Sequence, residues 1–147
     1  MRVVVQSDPF DIGAETNSFA MAAKGAGAIV TFTGLVRDNA ARNLEVIEIE
    51  HYSGMTERAL HEIAGQAMTR WQLADCLVIH RYGRLAPTDP IMMVATAARH
   101  RADVFAAADF LMDYLKSRAP FWKKEITASG TDWVAARAED EAALKRW

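Results

Sequence analysis

Two long segments of the chain place apolar and polar residues with the period of an amphipathic helix. Between positions 56 and 71, apolar side chains recur every three or four residues and charged side chains occupy the other side. The segment 103–118 shows the same period, with Val104, Leu111 and Leu115 on its apolar side. We therefore predict two main helices at 56–71 and 103–118, the first capped by Ser53 or Thr56.

Shorter runs rich in Val, Ile and Thr predict strands, because β-sheets favour these residues. The predicted strands are 3–6, 28–36, 44–52, 76–81 and 91–97. We expect a modest helix at 15–24, loops at 37–43 and 82–90, a hairpin around Ser129-Gly130 and a terminal helix near 139–145. Since the elements do not alternate strictly as β-α-β, the pattern predicts an α+β fold with a largely antiparallel sheet. No linker or repeat interrupts the 147 residues, which predicts one domain, 1–147.

Composition limits the classes of protein that the chain can belong to. The net charge is −2, with 17 Lys and Arg residues against 19 Asp and Glu. No apolar run approaches the ~20 residues that span a bilayer, and the start of the chain lacks a secretory pattern, so we expect a cytoplasmic protein. Cys76 is the single cysteine and opens an apolar run, so we predict a buried, unreactive thiol. The histidines show no paired-ligand spacing, and no metal site is predicted.

Positive charge is concentrated in one segment, 116–124, around Pro120 and the pair Phe121-Trp122. Pro120 must end the second main helix, so Lys116 lies on its last turn while Lys123 follows the break. Complementing the helix dipole explains a cation before the break but not the lysines after it. A pocket for an anionic, planar ligand explains both.

Further cations follow predicted element ends, at Arg37 and at His100-Arg101, where binding groups commonly lie. Besides these positions, the chain contains the strings GAIVTFTGLVRD, EHYSGMTERAL, VIHRYG and FLMDYLKSRAPFWKKE, with KRW at the C-terminus. Together, these positions and strings resemble the large, catalytic subunit of molybdopterin synthase. They occur in family order and cover nearly the whole chain, and the fourth string is long enough to be highly specific.

The resemblance implies an α/β-hammerhead-like fold and an activity. In this family a cyclic pyranopterin monophosphate receives two sulfur atoms and becomes the dithiolene molybdopterin. The sulfur arrives as a thiocarboxylate on the Gly-Gly C-terminus of a small ubiquitin-like subunit. Two large subunits form a central homodimer within a heterotetramer, and no cofactor is expected.

The resemblance also implies roles for individual residues. Lys116 and Lys123 fall at the catalytic lysines. The residues that fall at or beside substrate contacts are Arg37, His100, Arg101, Lys124 and Glu125. Several cations at one site would offset the repulsion between a phosphate and a thiocarboxylate.

The chain departs from the family pattern at two places. Ala97-Ala98-Arg99 replaces a stretch that often contains serine, and Thr88 lies in a loop where glycine is common. The first change removes a hydroxyl from beside the His100-Arg101 pair, and the second leaves the geometry of the turn open.

Two other functions fit parts of the pattern. A basic patch with aromatic residues can bind single-stranded nucleic acid, but such domains are usually basic overall, and this chain is not. A non-catalytic docking subunit for a ubiquitin-like sulfur carrier is the alternative that the sequence leaves open, because the same basic pocket serves either role.

Overall fold

The computed structural model describes residues 1–135 and 137–147. Two four-stranded sheets form the frame of the molecule. The first has the order β1-β4-β6-β2, built from β1 (Arg2–Gln6), β2 (Ala28–Leu35), β4 (Asp75–Arg81) and β6 (Pro90–Ala98). The second has the order β5-β3-β7-β8, built from β3 (Val46–His51), β5 (Gly83–Leu85), β7 (Phe121–Thr127) and β8 (Gly130–Trp133). Only β1 and β4 pair in parallel among the described strands, so the predicted α+β fold with largely antiparallel sheets is confirmed.

Helices cover both faces of the first sheet. The helices are α1 (Ile12–Ala22), α2 (Met55–Arg70), α3 (Arg101–Ser117) and α4 (Ala138–Ala143), followed by a 3-10 turn at Leu144–Arg146. Successive residues of β4 point to opposite faces, as the period of a strand requires. Val78 packs in the core with residues of α2 and α3, whereas Leu77 packs with Phe19 of α1. No helix among the described residues is long and apolar enough to cross a bilayer.

Several predicted boundaries need correction. α1 begins at Ile12 rather than at residue 15, because the Asp11 carboxylate accepts a hydrogen bond from the Ala14 amide at 2.7 Å and caps the helix. Neither Ser53 nor Thr56 caps α2. Gly54 is its N-cap residue, and the Gly54 amide donates to Glu57 Oε2 at 2.5 Å.

The predicted loop 82–90 contains an additional strand, β5. Its three residues pair with β3, and Gly83 enters the strand with φ of +88°, a conformation that suits glycine. The strand is too short to show a period of two in the sequence. Its pairing therefore depends on the neighbouring strand rather than on its own pattern.

Thr88 lies in the turn that precedes β6, and its φ is +76°. This left-handed conformation is costly for a β-branched residue. The turn is held by the Thr88 amide, which donates to Val36 O at 2.8 Å, and by the Val36 amide, which donates to Asp89 O at 2.8 Å. The turn thus fixes Val36, the residue directly before Arg37, although it strains Thr88.

Candidate active site

Lys116 and Lys123 lie on two different elements, near enough for the charge of Lys116 to act on Lys123. Lys116 is exposed in the last turn of α3, and the chain then turns through 118–120 into β7. The turn is closed by the Arg118 and Ala119 amides, which both donate to Tyr114 O, at 2.8 and 3.2 Å. The structure therefore brings together the two lysines that the sequence placed on either side of Pro120.

The ammonium of Lys123 lies in an unfavourable environment. Lys123 is half-buried and shares a face of the second sheet with Ile49, its partner in the β3–β7 pairing, which is 1% exposed. Burial lowers the pKa of Lys123 below its ordinary value of 10.5, and the nearby charge of Lys116 lowers the pKa further. Asp140 of α4 partly offsets both effects. A lysine with a lowered pKa is suited to proton transfer.

A pocket of about 800 Å³ reaches β7 at Glu125, two residues after Lys123, although neither lysine lines it. Its lining includes Glu125, which follows Lys123 on the same face of β7, together with Arg37 and Arg137. The loop that carries Arg37 is held in place because the Asp38 carboxylate accepts hydrogen bonds from the Asn39 and Leu44 amides, at 2.8 and 3.1 Å. Two guanidinium groups in one concave site provide the planar, bidentate donors that bind phosphate well.

Arg137 was missed in the sequence analysis. It lies between β8 and α4, twelve positions after Glu125, and no cluster of charge or aromatic residues marks it in the sequence. Its place in the pocket depends on the β7–β8 hairpin, which returns the chain to the site. An arginine after a predicted hairpin was the only signal, and that signal is weak.

Lys124 points away from Lys123, because neighbouring residues of a strand face opposite sides of the sheet. Its ammonium pairs with Glu50 Oε1 of β3 at 2.5 Å and lies 4.4 Å from the centre of the Trp133 ring. The structure therefore does not bring Lys124 to the face that carries Lys123 and Glu125.

His100 and Arg101 are also separate from the lysines in this chain. They begin α3, whereas Lys116 ends it, and fifteen residues of α-helix span about 22 Å. The β2–β6 pairing shows the same separation, since Leu35 pairs with Pro90 near Arg37, and Ala28 pairs with Ala98 near His100. One copy of the chain therefore carries the predicted site residues in two groups.

The two departures in the sequence have different surroundings. Ala97 and Ala98 are buried in β6, whereas Arg99 is exposed. The backbone there is crowded, because a Cβ atom at Gly27 would lie 2.5 Å from the Arg99 carbonyl oxygen. Only glycine fits at position 27, so the start of β2 is held against the residue before His100.

The fold and the site define an α+β protein with a lysine pair and, on the same strand as Lys123, access to a pocket that contains two arginines. Comparisons with known proteins identify its family. The MoaE protein family model matches residues 5–118. A molybdopterin synthase catalytic subunit from Cereibacter sphaeroides is 70% identical over 147 residues, which is 100% of both chains. Another from Ralstonia nicotianae is 54% identical over 144 residues, covering 97% of this chain and 82% of its own length.

A solved structure described as the molybdopterin biosynthesis MoaE protein from Burkholderia ambifaria MC40-6 superposes with a TM-score of 0.84. It is 49% identical, and the match covers 99% of this chain and 96% of that chain. The chain therefore belongs to the MoaE family. The resemblance found in the sequence is confirmed.

Proposed function

We propose that this chain is the catalytic subunit of a molybdopterin synthase, and that Lys116 and Lys123 carry out its chemistry. The observation that carries the proposal is that Lys116 is near enough to lower the pKa of Lys123, on the strand whose Glu125 lines the arginine-containing pocket. The membership of the MoaE family supports it. The reaction class is sulfur transfer, in which a cyclic pyranopterin monophosphate becomes the dithiolene molybdopterin.

Each group in the site has a chemical task in this reaction. Arg37 and Arg137 bind the phosphate of the substrate, and Glu125 accepts hydrogen bonds from the pterin. The lysines hold the thiocarboxylate while its sulfur attacks a substrate carbon, and they transfer a proton to the oxygen that leaves that carbon. Water then attacks the carbonyl carbon of the resulting thioester, the lysines stabilise the charge that develops on its oxygen, and the C–S bond to the small subunit breaks, so that the sulfur stays on the substrate and the small subunit leaves as a carboxylate. Because Lys123 is partly desolvated, it releases a proton more readily than a fully exposed lysine does.

The sulfur comes from a separate small subunit rather than from this chain. Cys76 is 1% exposed within β4, and burial raises the pKa of its thiol to about 12. A thiol that stays protonated and buried is a poor nucleophile and a poor sulfur donor. We therefore expect Cys76→Ala to retain activity, and a complete loss of activity in a folded Cys76→Ala protein would contradict an external sulfur source.

A second copy of the chain completes the site. The strand β2 is an edge of the first sheet, with no neighbour on its outer side among the described residues. It exposes Ile29, Phe32 and Leu35, which is the kind of edge that pairs with another chain. Antiparallel pairing of β2 with its copy about a two-fold axis sets Leu35 opposite Ala28 of the partner subunit. Arg37 of one copy then lies toward the end of the other copy that carries His100 and Arg101.

The decisive experiment measures dithiolene formation from the cyclic precursor and a thiocarboxylated small subunit. Lys116→Ala and Lys123→Ala should fold and bind the small subunit, yet lose about 10²–10⁴ in rate, the usual value of positioned proton transfer. Lys24→Ala, which removes an exposed lysine after α1, is the matched control and should keep full activity. Turnover within a few-fold of wild type in either site variant would remove that lysine from the chemistry.

The same assay tests the alternative that the chain is only a docking subunit. A docking subunit would bind the thiocarboxylated partner without forming product. Binding of the small subunit and formation of the dithiolene are measured in the same sample. Binding with product supports the enzyme, and binding without product supports the docking subunit.

A further inference from the structure

Three aromatic side chains join the two sheets next to Lys123. The ring of His80, from β4, lies flat on the ring of Phe121, from β7, with centroids 3.7 Å apart and an interplanar angle of 15°. The ring centroid of His51, from β3, lies 6.0 Å from that of Phe121 and 4.4 Å from that of Tyr82. We call His51, Phe121 and His80 the aromatic stack. It connects β4 of the first sheet to β3 and β7 of the second.

The stack holds the start of the strand that carries Lys123. Phe121 is the first residue of β7, and side chains two residues apart in a strand share a face, so Phe121 and Lys123 point the same way. The Phe121 amide donates to Ala119 O at 2.8 Å, which ties the stack to the turn after Lys116. A displacement of Phe121 would therefore move Lys123 relative to Lys116.

His80 is placed so that it adds no charge to the site. Its Nδ1 lies 2.8 Å from the carbonyl oxygen of Arg81, and because a carbonyl can only accept, Nδ1 carries the proton. His80 is 3% exposed, and burial lowers its pKa to about 3. The hydrogen bond to Arg81 opposes this shift, and the charges of Lys123 and His51 add to it. The ring is therefore neutral at physiological pH.

The other charged and titratable groups around the stack and Lys123 come from the neighbouring elements. They are His51 of β3, Tyr82 directly after β4, Lys116 of α3, Glu125 of β7, Asp140 of α4 and Arg81 of β4. The Arg81 guanidinium donates to Ser7 O and Pro90 O, and is thereby engaged elsewhere. A cation at position 80 would repel the ammonium of Lys123, whereas the neutral ring does not.

We propose that His80 is a positioning residue for the sulfur-transfer reaction: through its stack on Phe121 it fixes Lys123 in the orientation that meets Lys116. The inference rests on the proposed role of Lys123. It assigns a task in the reaction to a histidine that is buried in the core and is only 3% exposed.

The test compares two replacements of His80 under saturating small subunit and precursor. His80→Leu removes the flat ring, and a displacement of about 1 Å at a reacting group can cost 10²-fold, so kcat should fall about 10²-fold while KM changes little. His80→Phe keeps a flat ring, and should restore kcat to within a few-fold of wild type although it loses the hydrogen bond to Arg81 O. Ile79→Val is the matched control in the same strand. Ile79 packs with the other core cluster, so this variant should lose stability but not kcat.

Phe121→Leu provides a second route if His80→Leu does not fold, since it removes the other ring of the stacked pair and should lower kcat equally. The pH dependence of kcat is a further readout. Loosening the start of β7 admits water to Lys123, so the limb that reports Lys123 should move to higher pH in His80→Leu and stay in place in Ile79→Val.

Three results would overturn the inference. They are a normal kcat in His80→Leu or Phe121→Leu, an equal loss in His80→Leu and His80→Phe, and a loss in Ile79→Val that matches that of His80→Leu. A fully active Lys123→Ala would instead refute the proposed function, so the two failures are distinguishable.

Discussion

Lys123 illustrates how a functional group reduces the stability of the fold that carries it. Its pKa is lowered in the native protein by burial and by Lys116, whereas the unfolded chain keeps the ordinary value of 10.5. Between the two pKa values the unfolded chain binds more protons, so the free energy of unfolding rises with pH in that window. Below the native pKa, Lys123 is charged in both the native and the unfolded state, and it lowers the free energy of unfolding by an amount that does not change with pH.

Lys123→Met should therefore stabilise the protein at neutral pH while it abolishes activity. The gain should shrink as pH rises from the lowered native pKa toward 10.5, because the lysine is then neutral in both states. Urea unfolding of wild type and variant at pH 7 and pH 10 measures the difference. A gain that is equal at both pH values would show that the ammonium is not the source of the cost.

Thr88 gives a prediction for a residue outside the site. Its φ of +76° is a conformation that glycine adopts without strain. The strain at a non-glycine residue is of order 1–3 kcal/mol, partly offset by the entropy that glycine loses on folding, so Thr88→Gly should raise the free energy of unfolding by about 1 kcal/mol. Thr88→Ala keeps a Cβ and should give little gain. Equal stability of the two variants in urea would remove strain as the explanation.

The strand β7 marks the limit of what the sequence could predict about the site. The string FLMDYLKSRAPFWKKE indicates a helix end, a break and paired cations. It does not predict which side chains of the following strand point to which face of the sheet. The structure sets Lys123 and Glu125 on one face and pairs Lys124 with Glu50 on the other. Arg137 reaches the pocket only because the β7–β8 hairpin brings the chain back to it, and no local sequence pattern around Arg137 predicts this position. The long helices, by contrast, were predictable because their apolar period extends over four turns or more.

α4 supplies a charge that tunes Lys123. The Asp140 carboxylate raises the pKa of Lys123 against the effects of burial and Lys116. Asp140→Asn should therefore lower that pKa further, and the limb of the pH–kcat profile that reports Lys123 should move to lower pH. Glu139→Gln, an exposed neighbour on the same helix, is the control and should leave the limb in place. An unmoved limb in Asp140→Asn would show that α4 does not act on Lys123.

At the scale of the whole molecule, the separation of the site residues within one chain suggests a geometric test of the dimer. Arg37 and Arg101 lie near opposite ends of β2, so the proposed site combines Arg37 of one copy with Arg101 of the other. Arg37→Ala and Arg101→Ala should each be nearly inactive as homodimers, because in each variant both of the dimer's two sites lose one arginine.

Mixing and re-equilibrating the two variants should restore activity. A mixed dimer has one site with both lesions and one site with none, because a two-fold axis exchanges the two contributions. With half of the dimers mixed and half of their sites intact, about a quarter of the wild-type rate is expected. If both arginines served a site within one copy, every site would carry a lesion and mixing would restore nothing. Re-equilibration is followed by mass-tagging one variant, and a mixed dimer that forms without recovering activity would refute the shared site.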